Sequence, residues 1–413
     1  MKRRIVPMLL GLSAQGLTIL STLVPIAFDR LDAVIQLVTV MAVATALIPG
    51  LCLAVSSRLP VVSDPTEAFA VVFASAATLA LFSALFAAAG LLVVDIRSFA
   101  LACSILIAAQ GAYTISGAIA TRNYDYALLM RMRLAYGLGV VVVTLICCVL
   151  NLEARAFVLA PASASAIAAS LGLLAHIGRL SHHLGHLSWR GVLRQVFQAR
   201  SLTVAQFLSG YSGQVGAIAA AGLGPLAASW AISVRFTAGF QTVASQILAP
   251  SVDIDVSRAI REPEDGALRR AVMRGSLMGG ALALVAAPVV LALCLLLGAE
   301  EIGARETAAL CFGVIGYQVL SVWLLPSERV MGLLGGQQTR LIWDGLRAAA
   351  LAPVLLLNSG IAKAVWLGVV GTLFYIAYMA ICWRLAKSGA GRPARWRSSR
   401  QGLRGIVRHR DST

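Results

Sequence analysis

The chain has 413 residues, 59% of them hydrophobic and 13% charged, with a mean hydropathy of +0.84. Soluble domains carry about 25% charged residues, so a water-soluble globule is excluded; a lipid-crossing helix needs about 20 apolar residues, which leaves room for about a dozen. Yet the formal net charge is +16, from 34 Lys and Arg against 18 Asp and Glu, so the placement of the cations is the first question.

The N-terminus imitates a signal peptide, MKRR followed by an apolar run over 5–28. That run is too long for a signal h-region and has no clean small-x-small cleavage site, so it reads as an uncleaved first span. Eleven more apolar segments follow, near 33–57, 68–93, 98–120, 134–150, 157–177, 201–221, 226–250, 275–297, 305–325, 341–358 and 363–383. No soluble domain fits between them. Lipid offers the backbone no hydrogen-bond partner, so each segment is expected to be a helix, and the alternating ten-residue strands of a barrel are absent. The expected fold is an all-α polytopic membrane protein of about 12 transmembrane helices in two pseudo-symmetric six-helix lobes around a central cleft. The expected division is an N-terminal lobe over 1–177, a cytoplasmic connector over 178–200, a C-terminal lobe over 201–383 and a basic cytoplasmic tail over 384–413.

With the N-terminus inside, 28 of the 34 cations fall in inner segments; five (Arg30, Arg97, Arg155, Arg305 and Lys363) fall outside, and Arg235 lies within a span. Basic residues mark the cytoplasmic side, so both termini are expected there, in the bacterial inner membrane. The outer connectors are too short for the acidic catalytic loop of a membrane glycosyltransferase, so the chain does not read as an enzyme. The tail holds nine of the cations, with Trp383 and Trp396 as aromatic anchors. Each basic residue near an anionic leaflet is worth about 1 kcal/mol, so anionic lipids are its expected partners and nucleic acid is not invoked. All but three of the cations are arginines, and arginine grips phosphate with a bidentate fork.

The halves echo each other. Span 2 runs into IPGLCLAVSSRLPVVSDPTEA (48–68) and span 8 into LAPSVDIDVSRAIREPEDGA (248–267). Both place a proline at the inner helix end (Pro49, Pro250), then Ser-Arg (Ser57-Arg58, Ser257-Arg258), then an acid-Pro pair (Asp64-Pro65, Glu262-Pro263). A repeat of this kind encloses a cleft of the sort used for alternating access.

Polar faces mark what lines the cleft. In span 1, Gln15, Thr18, Thr22, Pro25 and Asp29 fall within an arc of about 80°; a helix–helix seam fits the same spacing. In span 8, Arg235, Thr242 and Gln246 share an arc of about 40°, and Ser233, Thr237, Gln241 and Ser245 widen it. An ionised arginine at bilayer depth costs about 2.5–3.5 kcal/mol, so Arg235 must face protein or water, and a phosphate or pyrophosphate is its natural partner. Span 7 adds SGYSGQ (209–214) and span 4 adds Gln110, Tyr113 and Thr114, groups suited to sugar recognition or to packing. The seven cysteines lie in apolar runs without a CxxC pair and read as small hydrophobes. His182 and His186 lack a companion ligand, so no metal and no cofactor is expected.

These segments resemble the Wzx-like oligosaccharide flippases, in the multidrug/oligosaccharidyl-lipid/polysaccharide exporter superfamily that also holds multidrug extruders and lipid II flippases. The clearest stretch is AGLGPLAASWAISVRFTAGFQTVASQILAPSVDIDVSR (221–258), with an outer turn, an arginine-bearing helix and a proline at its inner end. ATRNYDYALLMRMRL (120–134) and MGLLGGQQTRLIWDGLRAA (331–349) are also family-like. The resemblance implies two six-helix lobes and inward-to-outward flipping of a polyprenyl-(pyro)phosphate-linked oligosaccharide for cell-envelope or extracellular polysaccharide synthesis. A polysaccharide polymerase or glycosyltransferases would work beside such a protein. A cation-coupled multidrug exporter would need an acid deep in a lobe, whereas Asp29, Asp253, Asp255 and Asp344 are expected near span ends. The remaining alternative is a non-transporting scaffold in envelope assembly.

Overall fold

The computed structural model describes residues 2–248, except 63, 124 and 182–187, together with 252, 255–256, 259, 266–297, 302–327 and 330–388. Among these residues there is no strand, and each of the twelve apolar segments forms helix. The helices are α1 (Lys2–Ala27), α2 (Leu31–Leu51), α3 (Pro65–Leu92), α4 (Arg97–Arg122), α5 (Tyr126–Val149) and α6 (Leu159–Ser181). They continue as α7 (Trp189–Ile218), α8 (Ala227–Val243), α9 (Ala267–Leu297), α10 (Ala304–Gly313), α11 (Val330–Leu351) and α12 (Gly360–Ser388). Nine described stretches cross a membrane on length and composition alone, one of them spanning α7 and α8 together. With Arg340, Asp344 and Arg347 along it, α11 is not among the nine.

Helix ends depart from the hydropathy reading because N-caps, not lipid, set them. Ser188 accepts a hydrogen bond from the Gly191 amide, so α7 begins inside the connector expected over 178–200. Only 182–188 separates α6 from α7. Asp125 caps α5 through the Leu128 amide and Asp64 caps α3 through Thr66 and Glu67. Such side-chain oxygens satisfy amides that have no intrahelical partner. The tail beyond Ser388, the pair His182 and His186, and Pro250 with its downstream repeat elements Ser257, Arg258, Glu262 and Pro263 lie outside the described residues.

Packing repeats with an offset of six helices. In the first half, α1 packs on α5, α5 on α6, α6 on α4 and α4 on α3. In the second, α7 packs on α11, α11 on α12, α12 on α10 and its continuation, and that unit on α9. The halves meet chiefly along α2 and α7, with α1 and α2 also touching α8.

Small residues make that seam close. A Cβ at Gly210 of α7 would collide with the Ala46 carbonyl of α2, and one at Gly50 would collide with the Phe207 ring. Toward the face carrying the α1–α2 turn, Val34, Val38 and Ala42 bury against Ala217 and Ala231, with Ile26, Ile35, Ile218 and Val234 around them. This plug is wholly aliphatic. At the opposite face, Arg58 donates to the Gln195 side-chain oxygen at 2.6 Å, and Gln195 donates to Glu67 at 3.1 Å. Arg30 ties two connectors on the plugged face, donating to Asn151 Oδ1 at 2.8 Å and to the Leu152 carbonyl at 2.6 Å.

Overpacking a tight contact costs about 1–3 kcal/mol. Gly210→Val should therefore lower the thermal unfolding midpoint of the purified protein. Gly213→Ala, where an added Cβ meets nothing within 4 Å, should leave it unchanged.

Candidate functional site

Arg235 projects from the middle of α8 toward the opposite half. Its Nη2 donates to Met41 Sδ on α2 at 3.0 Å, and the guanidinium lies in electrostatic range of the Tyr136 hydroxyl on α5. Its buried Nε has no hydrogen-bond partner. Thioether sulfur is a weak acceptor, so neither contact replaces the hydration the cation has lost. Tyr136 in turn bonds Gln110 of α4 and stacks on Tyr113, with ring centroids 5.6 Å apart.

The guanidinium lines a chamber of about 360 Å³ between α2, α7 and α8. Its walls include Thr45, Gln214, Gln241, Thr242 and Ser245, and among the described lining residues Arg235 is the one charged side chain. Thr242 closes its own proton onto the Ala238 carbonyl at 2.9 Å and so presents an acceptor to the chamber. Past Val243 the helix winds into a π-turn over Ala244–Leu248, a local widening common at functional sites.

A second cavity of about 220 Å³ lies deeper in the C-terminal half. It shares Gln214, Ala217, Val234, Ala238, Gln241 and Leu325 with the chamber. Gln241 donates to Ser321 Oγ at 2.7 Å across this pocket. Its far wall carries Tyr317 and Gln318, on the π-turn Val314–Val319 that continues α10, together with Arg347 and Tyr375. Arg347 Nη2 donates to the Tyr375 hydroxyl at 2.7 Å, and Tyr375 donates to the Tyr317 carbonyl at 3.0 Å. Tyr317 bonds the Ser212 carbonyl at 2.9 Å and stacks on Trp230, whose ring nitrogen donates to the Gly216 carbonyl at 2.8 Å.

Of the residues singled out from sequence, Arg235, Gln241 and Thr242 come together. Gln15 and Gln246 sit on helical backbone, and their side chains lie outside the described residues. Thr18 and Thr22 line neither cavity: Thr18 bonds back to the Ala14 carbonyl at 3.1 Å, and Thr22 is buried. The stretch 209–214 contributes Ser209, Gly213 and Gln214 to the pocket.

Two placements correct the charge count. Arg347, assigned there to the inner segments, lies well within α11 and lines the pocket. Asp344, expected near a span end, is 5% exposed on the same helix and sits 3.6 Å from Arg340. Both were inside the apolar segment near 341–358, and their i, i+3 spacing was the available signal.

Comparison with solved structures gives several matches over nearly the whole chain. An inward-facing multidrug resistance MATE family transporter of the MOP superfamily aligns with TM-score 0.63 and 13% identity, covering 94% of this chain and 99% of the other. At this identity the likeness is one of fold. A MATE protein in complex with MaL6 aligns with TM-score 0.61 and 14% identity, covering 94% and 96%. Lipid II flippase MurJ, in an inward closed conformation, aligns with TM-score 0.58 and 11% identity, covering 91% and 87%. No family model and no curated protein sequence matches the chain. With this fold and its apolar helices, the chain is a multi-pass membrane protein.

The exposure difference between the two threonine sets is directly measurable. On a Cys311→Ala background, where the other native cysteines are buried, Thr242→Cys should react readily with a water-soluble thiol reagent. Thr22→Cys, at a position 4% exposed, should react far more slowly, because thiol chemistry needs access and ionisation. Equal rates would remove the distinction between chamber and seam.

Proposed function

We propose that the chain flips a polyprenyl-(pyro)phosphate-linked oligosaccharide from the cytoplasmic to the outer leaflet of the bacterial inner membrane. The observation that carries this reading is the Arg235 chamber: a cation at bilayer depth, a buried Nε without a partner, and no acid among the described lining residues. A buried cation with neutral neighbours favours a ligand that brings the missing negative charge. A phosphate group does so with paired, charge-assisted hydrogen bonds.

In this reading the head group enters between the lobes 1–177 and 201–383. Arg235 leaves Met41 to take the phosphate. Thr242, Gln241 and Gln214 offer acceptors and donors to the sugars, and the prenyl tail stays in lipid. The aliphatic plug between α2 and α7–α8 then parts as the Arg58–Gln195–Glu67 contacts tighten. The cytoplasmic placement of both termini, and of a tail beside anionic lipids, rests on the asymmetry of the cations.

A cation-coupled multidrug exporter is the second reading. Asp344, buried on α11, is the observation that favours it, because coupling to a proton or sodium needs an acid inside a lobe. The solved transporters with this fold include multidrug and lipid-flipping proteins alike, so the fold does not choose between the two.

Arg235→Ala should abolish polymer export while the protein still inserts, and Arg235→Lys should restore little, because an ammonium cannot make the bidentate contact. Full export by the alanine variant would sink the phosphate role. A deletion strain should accumulate cytoplasm-facing prenyl-linked sugars; drug sensitivity without that accumulation would favour the exporter.

A further inference from the structure

The pocket behind the chamber holds a buried amide that no protein group completes. Gln318 is 4% exposed, stands on the π-turn Val314–Val319 and lines the pocket. Its Oε1 accepts from Thr237 Oγ1 at 3.4 Å, and its buried Nε2 has no acceptor. Turning the amide over exchanges the two atoms and leaves the carbonyl oxygen over instead. Buried polar groups are almost always paired, so this one points to a partner that arrives with a ligand. A hydroxyl both donates and accepts, and it alone satisfies the amide whichever way it lies. A phosphate or carboxylate oxygen only accepts.

The rest of the wall has matching chemistry. Gln241 donates to Ser321 Oγ at 2.7 Å, and Ser321 passes its own proton to the Gln318 backbone carbonyl. This relay fixes the Gln241 amide at the edge of the space. Opposite it, the rings of Tyr317 and Tyr375 supply flat apolar surface. Arg347, on the same wall, holds the Tyr375 hydroxyl at 2.7 Å and so keeps that ring in place. At about 220 Å³ the pocket falls below the roughly 300–1,000 Å³ of drug-sized sites, room for one ring rather than a chain. Hydroxyls around the rim of an apolar ring face are the surface of a pyranose. The pocket also shares Gln214 and Gln241 with the Arg235 chamber, so one extended head group can occupy both.

We infer that this pocket receives one pyranose unit of the cargo and that Gln318 reads a hydroxyl on it. The subsite rests on the flippase reading and adds to it a residue that sets which sugar is accepted.

The test uses the purified full chain in phosphatidylcholine nanodiscs. Dissociation constants are measured for the methyl glycosides of glucose, galactose, mannose and N-acetylglucosamine, for the monodeoxy analogues of the tightest binder, and for inorganic pyrophosphate. At least one glycoside should bind, and one of its monodeoxy analogues should bind about ten-fold more weakly, the cost of leaving a buried amide unpaired. Gln318→Met, close in shape but without the amide, should weaken the parent glycoside by a similar factor and bind that analogue no worse than the parent. Its thermal midpoint without ligand should stay level or rise, because an apolar group in place of an unpaired polar one is neutral or stabilising. Pyrophosphate binding should be unchanged in Gln318→Met and lost in Arg235→Ala. If no glycoside binds, or if every deoxy analogue loses as much on Gln318→Met as on the unaltered chain, the subsite is overturned while the flippase reading stands. A lowered midpoint without ligand in Gln318→Met makes the amide structural and overturns it too. Unchanged pyrophosphate binding in Arg235→Ala overturns the flippase reading, and the cargo assignment with it.

Discussion

Inside a hydrocarbon layer every polar group must find its partner within the protein, and the rest of this structure follows from that rule. It makes each span a helix. It also explains where hydroxyls along the spans send their protons. Thr18, Thr39, Thr78, Thr114 and Thr121 each bond the carbonyl four residues earlier on their own helix. A hydroxyl satisfied this way has committed its proton, as Thr242 has beside the chamber, and keeps only acceptor capacity. What stands out instead is a polar atom left unsatisfied beside a cavity, and Arg235 Nε and Gln318 Nε2 are two such atoms.

The two cavities and the seam between the halves are parts of one arrangement. Glycines let α2 and α7 approach backbone to backbone, so the halves share an edge that does not depend on side-chain shape. Around it, α8 places Arg235 against the opposite half while its other face lines the pocket beside α10, α11 and α12. Gln241 and Gln214 belong to both spaces. A cation that rests on Met41 of the other half also has a contact that must change whenever the halves move.

Much of this was legible in the sequence. Twelve hydropathy segments became twelve helices because hydropathy reports the cost of desolvation, which decides what stays in lipid. The 100° periodicity that grouped Arg235 with Thr242 found the chamber wall. On α1 the same periodicity left seam and lumen open, because both ask for the same small polar residues at the same spacing. Helix ends were not legible, since Asp125 and Ser188 extend α5 and α7 beyond the apolar stretch. Arg347 was hidden by counting cations per segment rather than per helix face. Gln318 had no local signal at all: its orphaned amide exists only because a π-turn rotates it into a pocket made by five helices. The contact of Arg235 with Met41, 194 positions apart, likewise needs the tertiary fold.

The aliphatic plug has a thermodynamic consequence. Val34, Val38, Ala42, Ala217 and Ala231 meet through dispersion and exclusion of water, without hydrogen bonds between their side chains. Parting them hydrates apolar surface, which carries a positive heat-capacity change and a cost that weakens on cooling. The balance between the sealed and parted forms is therefore set partly by water structure rather than by any switchable ion pair. Chilling is expected to lower the cost of parting this one contact.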